Sequence, residues 1–107
     1  MKILGMDHIA ISVRDLAEAE DFYTRILGGT IERRIGDTES DKEAGRVPQV
    51  IIKLADSVVF NLNASNPQVP DGHFIHWAMQ ADFEDLDEWI ETFQRENIKY
   101  YGPYGHG

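Results

Sequence analysis

Two short strings carry the residue types that could do chemistry. Asp7-His8-Ile9-Ala10-Ile11-Ser12-Val13 and His76-Trp77-Ala78-Met79-Gln80 both place a histidine two positions ahead of an alanine, with apolar residues between and after. Strict alternation in the first string puts Ile9, Ile11 and Val13 on one strand face and His8, Ala10 and Ser12 on the other. In both strings the histidine is in phase with a small alanine, which leaves room for a ligand beside the ring. A pair of imidazoles, where the fold brings them together, suits a divalent Zn, Mn, Fe, Co or Ni ion. The chain has no cysteine, so disulfides, thiol nucleophiles and Cys-based metal centres are excluded, and any metal must take His, carboxylate, amide or water ligands.

Other polar residues have plainer readings. His73 and His76 are three apart, and on a strand such residues point to opposite faces, so the pair does not chelate one ion. His106 lies in the Gly-rich tail Gly102-Pro103-Tyr104-Gly105-His106-Gly107 and reads as surface. Glu84, Asp85, Asp87, Glu88 and Glu91 form the solvated face of a helix. Arg33, Arg34 and Arg46 flank a polar loop; they suit an anionic substrate, although solvated surface charge is the simpler reading.

The elements that position these residues follow from periodicity. After the first strand, Asp15 is an N-cap, and Leu16, Ala19, Tyr23, Ile26 and Leu27 mark an amphipathic helix of about three turns that stops at Gly28-Gly29. Thr30 to Ile35, Val47 to Leu54 and Ser57 to Asn63 read as strands, with a tight turn at Ala55-Asp56. The run from Gly36 to Glu43 is polar throughout and is expected to be a mobile loop. Asn66 to Gly72 is linker chemistry, rich in Pro and Gly. Past it, Phe83, Leu86, Trp89, Ile90 and Phe93 predict a second amphipathic helix, and Ile98 to Tyr101 the start of a strand. A βαβββ unit is thus followed by a second that repeats its opening, and the two further strands expected after Tyr101 are missing.

Composition bounds the rest. One hundred and seven residues with eleven aromatics hold one modest core. Nineteen acidic residues against ten basic ones give a net charge of −9, which repels phosphate backbones and anionic lipid over about a Debye length, ~8–10 Å. No nucleic-acid or membrane partner is expected. Neither a spanning segment nor a signal peptide is predicted, which implies a cytoplasmic protein.

Met6 to Val13 followed by Arg14-Asp15-Leu16, then Phe22-Tyr23, Leu27-Gly28-Gly29 and Ile75-His76-Trp77-Ala78, resemble the vicinal oxygen chelate superfamily of glyoxalase I, type I extradiol dioxygenases, and fosfomycin- and bleomycin-resistance proteins. The resemblance implies an α+β fold in which paired βαβββ modules form a cup-shaped mixed sheet, the second module incomplete. Its divisions are module one at 1–65, a linker at 66–72 and a partial module two at 73–107. It also implies that His8 and His76 are metal ligands. The family completes such sites with a carboxylate from the last strand of the second module, and sometimes with a Glu from the last strand of the first, where this sequence has Asn61. The implied function is a divalent-metal-dependent lyase, isomerase or dioxygenase that coordinates a small molecule through two oxygens. The alternative is a metal-free binder of the bleomycin-resistance type, with Trp77, Tyr100, Tyr101 and Tyr104 as stacking surface for a basic aromatic ligand. Alternation puts Trp77 on the helix-packed face, against that role. A homodimer is expected in either case, because an incomplete module leaves sheet edges and apolar faces to be covered.

Overall fold

Asp15 starts the first helix as its sequence position requires. Its backbone is extended, and its side chain accepts a hydrogen bond from the Glu18 N–H at 3.0 Å. In the computed structural model, which describes residues 1–64 and 77–103, the elements are β1 (Ile9–Ser12), α1 (Leu16–Asp21) running into a π-helical turn (Phe22–Ile26), β2 (Thr30–Ile35), α2 (Glu39–Glu43), β3 (Gln49–Ala55) and β4 (Val58–Asn63). A 3₁₀ turn (Phe83–Asp85) then leads into α3 (Leu86–Arg95). His73, His76, Tyr104, His106 and the 66–72 linker lie outside the described residues.

The strands form one mixed sheet in the order β1-β4-β3-β2, with β1 parallel to β4 and the other neighbours antiparallel. This is an α+β fold with a four-stranded open sheet. The tight turn expected at Ala55-Asp56 joins β3 to β4, whereas the parallel partners β1 and β4 are joined through everything between them. Val50, Ile52, Phe60 and Leu62 are buried on one sheet face, and Ile9, Ile11, Val13, Leu16, Ala19, Tyr23, Leu54 and Val58 pack against them. Tyr23 meets Phe60 edge to face, centroids 5.7 Å apart. The helix therefore covers one face only.

Three segments differ from the sequence reading. The polar run after Ile35 is ordered into α2. Thr38 caps that helix by accepting from the Asp41 N–H at 3.1 Å, and Asp41, only 8% exposed, accepts from the Gly36 N–H at 2.8 Å and from Arg46 Nη1 at 2.9 Å. These bonds, the Gly36 amide first and then the Arg46 guanidinium, lower the Asp41 pKa from 3.8 to about 2. Local pairing thus orders a segment that has no apolar residues to bury.

Residues 77–80 and Ile98 to Tyr101, expected as strands, form none. At the second of these the cause is local. Asn97 ends α3 in a left-handed conformation (φ 54°), the Ile98 N–H returns to the Phe93 carbonyl at 2.8 Å, and the Tyr100 ring packs on Phe93 with centroids 5.8 Å apart. The chain folds back on its helix.

Met1–Asp71 and Gly72–Gly107 are two compact units. Among the described residues, all four strands lie in the first unit and α3 in the second. No helix among them is long and apolar enough to cross a membrane.

Candidate functional site

Strand alternation and the one-sided core assign the residues of the helix-free face. With Ile9 and Ile11 packed on the core, Ala10 and Ser12 of β1 turn the other way, and His8 precedes them in the same phase. Register then brings Asn61 beside Ala10 and Asn63 beside Ser12. From β3, Gln49, Ile51 and Lys53 alternate with buried Val50 and Ile52, and Arg33 of β2 opposes Ile51. The result is a polar face backed by an apolar one.

His8 stands at the mouth of β1. Its Nδ1 lies 2.7 Å from Asp7 Oδ2, with the histidine side chain 48% exposed. An ionised carboxylate only accepts, so Nδ1 is the donor, and in the neutral ring this tautomer leaves the Nε2 lone pair available. Ligating histidines characteristically have their second nitrogen held in this way. The end of β1 is fixed by the Val13 N–H, which donates to the Asn63 carbonyl at 2.8 Å.

Asn61 is 8% exposed. Gln49 Nε2 donates to the Val47 carbonyl at 3.2 Å, so Gln49 turns its Oε1 toward Asn61, whose Nδ2 donates to it at 2.8 Å. The Asn61 Oδ1 is buried and, among the described residues, has no hydrogen-bond partner. Asn61 thus lies on β4, the strand on which the sequence reading placed it. Gln49, which sets its orientation, was missed; an amide residue opening a largely apolar strand was the available signal.

The remaining candidates separate cleanly. His76 lies outside the described residues. Glu84, Asp85, Asp87, Glu88 and Glu91 are all exposed, as a solvated helix face requires. Arg34 pairs with Glu20, and Arg46 with Asp41, so two of the three arginines hold structure. Trp77 is 49% exposed, at odds with the packed-face position that alternation gave it. Lys99 Nζ sits 5.4 Å from the centroid of the Tyr101 ring. Among the described residues, no three His, Asp or Glu side chains converge on a point that would hold a metal. A groove lined by Ala17, Glu20, Asp21, Thr24, Gly29, Thr30 and Ile31 runs along α1 and the start of β2, away from His8.

The model of the Glyoxalase/Bleomycin resistance protein/Dioxygenase superfamily matches residues 5–107. No curated protein matches the chain. Among solved structures, a mutant of the genomically encoded fosfomycin resistance protein FosX from Listeria monocytogenes, complexed with Mn(II) and 1S,2S-dihydroxypropylphosphonic acid, matches with a TM-score of 0.81 at 18% identity, over 99% of this chain and 77% of that one. The same protein complexed with Mn(II) and sulfate matches with a TM-score of 0.72 at 19% identity, over 92% and 75%. FosX from Mesorhizobium loti matches with a TM-score of 0.70 at 14% identity, over 88% and 70%. At these identities the likeness is one of fold.

Proposed function

We propose a function from one premise: this chain belongs to the Glyoxalase/Bleomycin resistance protein/Dioxygenase superfamily. The protein is a divalent-metal-dependent enzyme, a lyase, isomerase or dioxygenase, that acts on a small molecule through two of its oxygens. His8 and His76 hold the cation, Zn, Mn, Fe, Co or Ni. Mn(II) in the Listeria monocytogenes FosX structures supports a divalent ion. The proposed organisation is module one at 1–65, a linker at 66–72 and a partial second module at 73–107. The enzyme works as a cytoplasmic homodimer.

The observation that carries this reading is the His8–Asp7 pair. The Asp7 carboxylate fixes the ring tautomer, so Nε2 is presented as a ready donor on the helix-free face. That residue fits a metal, and the neutral Asn61 oxygen is a weaker donor than a carboxylate. When bound, a divalent cation supplies Lewis-acid polarisation of the substrate's oxygens. The chain's own residues bind and orient the substrate: Ala10 keeps the space beside His8 open, and Asn61 sets an uncharged polar group on the neighbouring strand.

A second reading is favoured by Asn61 itself. A buried neutral amide where such sites carry a carboxylate suits hydrogen-bonded capture of a small molecule without metal. The deciding experiment is Mn(II) content and affinity, by elemental analysis and calorimetry, on the chain and on a His8→Ala, His76→Ala double variant. Stoichiometric metal in the chain and its loss in a folded variant support the enzyme. An absence of binding to the wild-type chain at saturating Mn(II) refutes it and leaves the metal-free binder.

A further inference from the structure

Two surfaces of the first unit lie away from His8 and are unmatched within one copy. One is the arm ahead of β1, Met1-Lys2-Ile3-Leu4-Gly5-Met6, which has no acidic residue and is apolar at four of its six positions. It forms neither helix nor strand, and Ile3, Leu4 and Met6 are 93%, 88% and 70% exposed. Aliphatic side chains left in water to this extent forgo the stabilisation that burial gives their neighbours Ile9 and Ile11. The other surface is the groove along α1 and the start of β2, with a volume of about 500 Å³. Ala17, Gly29 and Ile31 make it apolar, and Glu20 and Asp21 make it acidic. Among the described residues β2 is an edge of the sheet, so no strand closes the groove on that side.

We propose that this groove receives the Met1–Met6 arm of a second copy, each copy giving its arm to the other. The inference rests on the homodimer reading and names the interface of that dimer; it does not involve the cation. No arm residue lines the groove of its own copy. Charge selects the arm as the occupant. At a net −9, two copies repel each other, and an acid-free segment is one that can approach an acidic rim. Lys2 also brings a positive charge to it. Glu20 and Asp21 are paired with Arg34 and Arg25, but an ionised carboxylate has about four acceptor sites and keeps room for a further donor. Ile3 and Leu4 then cover Ile31, itself 37% exposed. Mutual exchange follows from symmetry: arm and groove are different surfaces, so a one-way contact would leave a free arm and a free groove on every pair and would propagate, whereas reciprocal contacts close at two.

The absence of cysteine makes the test direct. Full-length Leu4→Cys and Ala17→Cys, each at an exposed position, are mixed, left to exchange subunits and treated with a short bis-maleimide. The expected product is a cross-linked pair of chains, in higher yield than from either variant alone. The double variant Leu4→Cys, Ala17→Cys is expected to cross-link between chains; a link confined to one chain places the arm in its own groove and overturns the proposal. Sedimentation equilibrium gives the energetic side. Ile3→Asp, Leu4→Asp changes side chains that already lie in water, so circular dichroism is expected to stay unchanged while the dimer weakens by about a hundredfold. A dimer of unchanged affinity in that variant, or no cross-link in the mixture, overturns the interface and leaves the homodimer standing. A wild-type chain that sediments as a monomer overturns both.

Discussion

Replacing Gly36 and Gly28 by alanine, one at a time, tests whether close backbone contacts hold the α2 segment against β3. Both glycines have positive φ, 96° at Gly36 and 76° at Gly28. For an L-residue that conformation costs ~1–2 kcal/mol. The positions differ in what an added Cβ meets: nothing within 4 Å at Gly28, and at Gly36 the Val47 carbonyl oxygen at 2.6 Å, Pro48 Cα at 2.7 Å and Pro48 N at 2.8 Å. These are main-chain atoms leading into β3, so relief requires the backbone to move, for a further ~1–3 kcal/mol. The shift also stretches the bond from the Gly36 N–H to Asp41. Gly28→Ala is therefore expected to lose about 1 kcal/mol and Gly36→Ala about 3 kcal/mol. In scanning calorimetry, at about 4 °C per kcal/mol for a domain of this size, the midpoints fall by ~4 °C and ~12 °C. Urea denaturation with unchanged slope confirms that the native state alone is affected. Equal losses at the two sites, or a Gly36→Ala variant as stable as wild type, refute the reasoning.

Leu62→Ala, at a core position with 0% exposure, is expected to lower the unfolding free energy by ~3 kcal/mol, read from the urea midpoint. Asp41 has a folded pKa of about 2 against an ordinary 3.8. Its contribution to stability is therefore present above about pH 4 and is lost as pH falls toward 2. In acid titrations followed by circular dichroism, the stability gap between wild type and Asp41→Asn should narrow over that interval, and a gap of constant size contradicts the assignment. Asp7→Ala leaves the His8 Nδ1 without its carboxylate. Since Asp7 is 95% exposed, the expected weakening of Mn(II) binding lies at the low end of the usual range, about tenfold by calorimetry. Unchanged affinity counts against Asp7 as the group that orients His8.

Legibility in the sequence followed the apolar pattern. Where alternation was strong the reading was close: Thr30–Ile35 is β2 with the same bounds, and Ser57 to Asn63 differs from β4 by one residue. The helix after Asp15 was read at its full length but not in its winding. Its second half bonds five residues back, Leu27 N–H to the Phe22 carbonyl at 3.1 Å, a change of pitch with no signature in spacing. α2 escaped because its order comes from polar pairs, Thr38 with Asp41 and Asp41 with Arg46, and composition registers these residues only as solvated. The Ile98–Tyr101 expectation failed because the left-handed Asn97 turns the chain back to Phe93, and propensity gives that no weight beside a run of strand-forming residues. At the candidate site, the outward phase of Ala10 and Ser12 was legible from alternation, and Asn61 was legible as a position on the last strand of the first unit. The orientation of the Asn61 amide was not, since it depends on Gln49 of β3, itself held by the Val47 carbonyl.

The two sheet faces depend on each other through register. A strand's side chains alternate with period two, so a slip of one residue in β1 would turn Ile9 and Ile11 outward and drive His8 and Ala10 toward the helix. β1 is only four residues long and, among the described residues, is an edge strand paired with β4 alone. Its ladder is too short to fix the register without help. Ile9 and Ile11 supply that help by packing on a core whose center is β3 and β4, beside Phe60 and Leu62, their register partners. The residues that hold the fold are therefore also the ones that aim His8 and Asn61, without touching whatever those two bind. A core substitution in β4 acts on the candidate site through the alignment of β1, and its effect there exceeds what the lost apolar contact alone predicts.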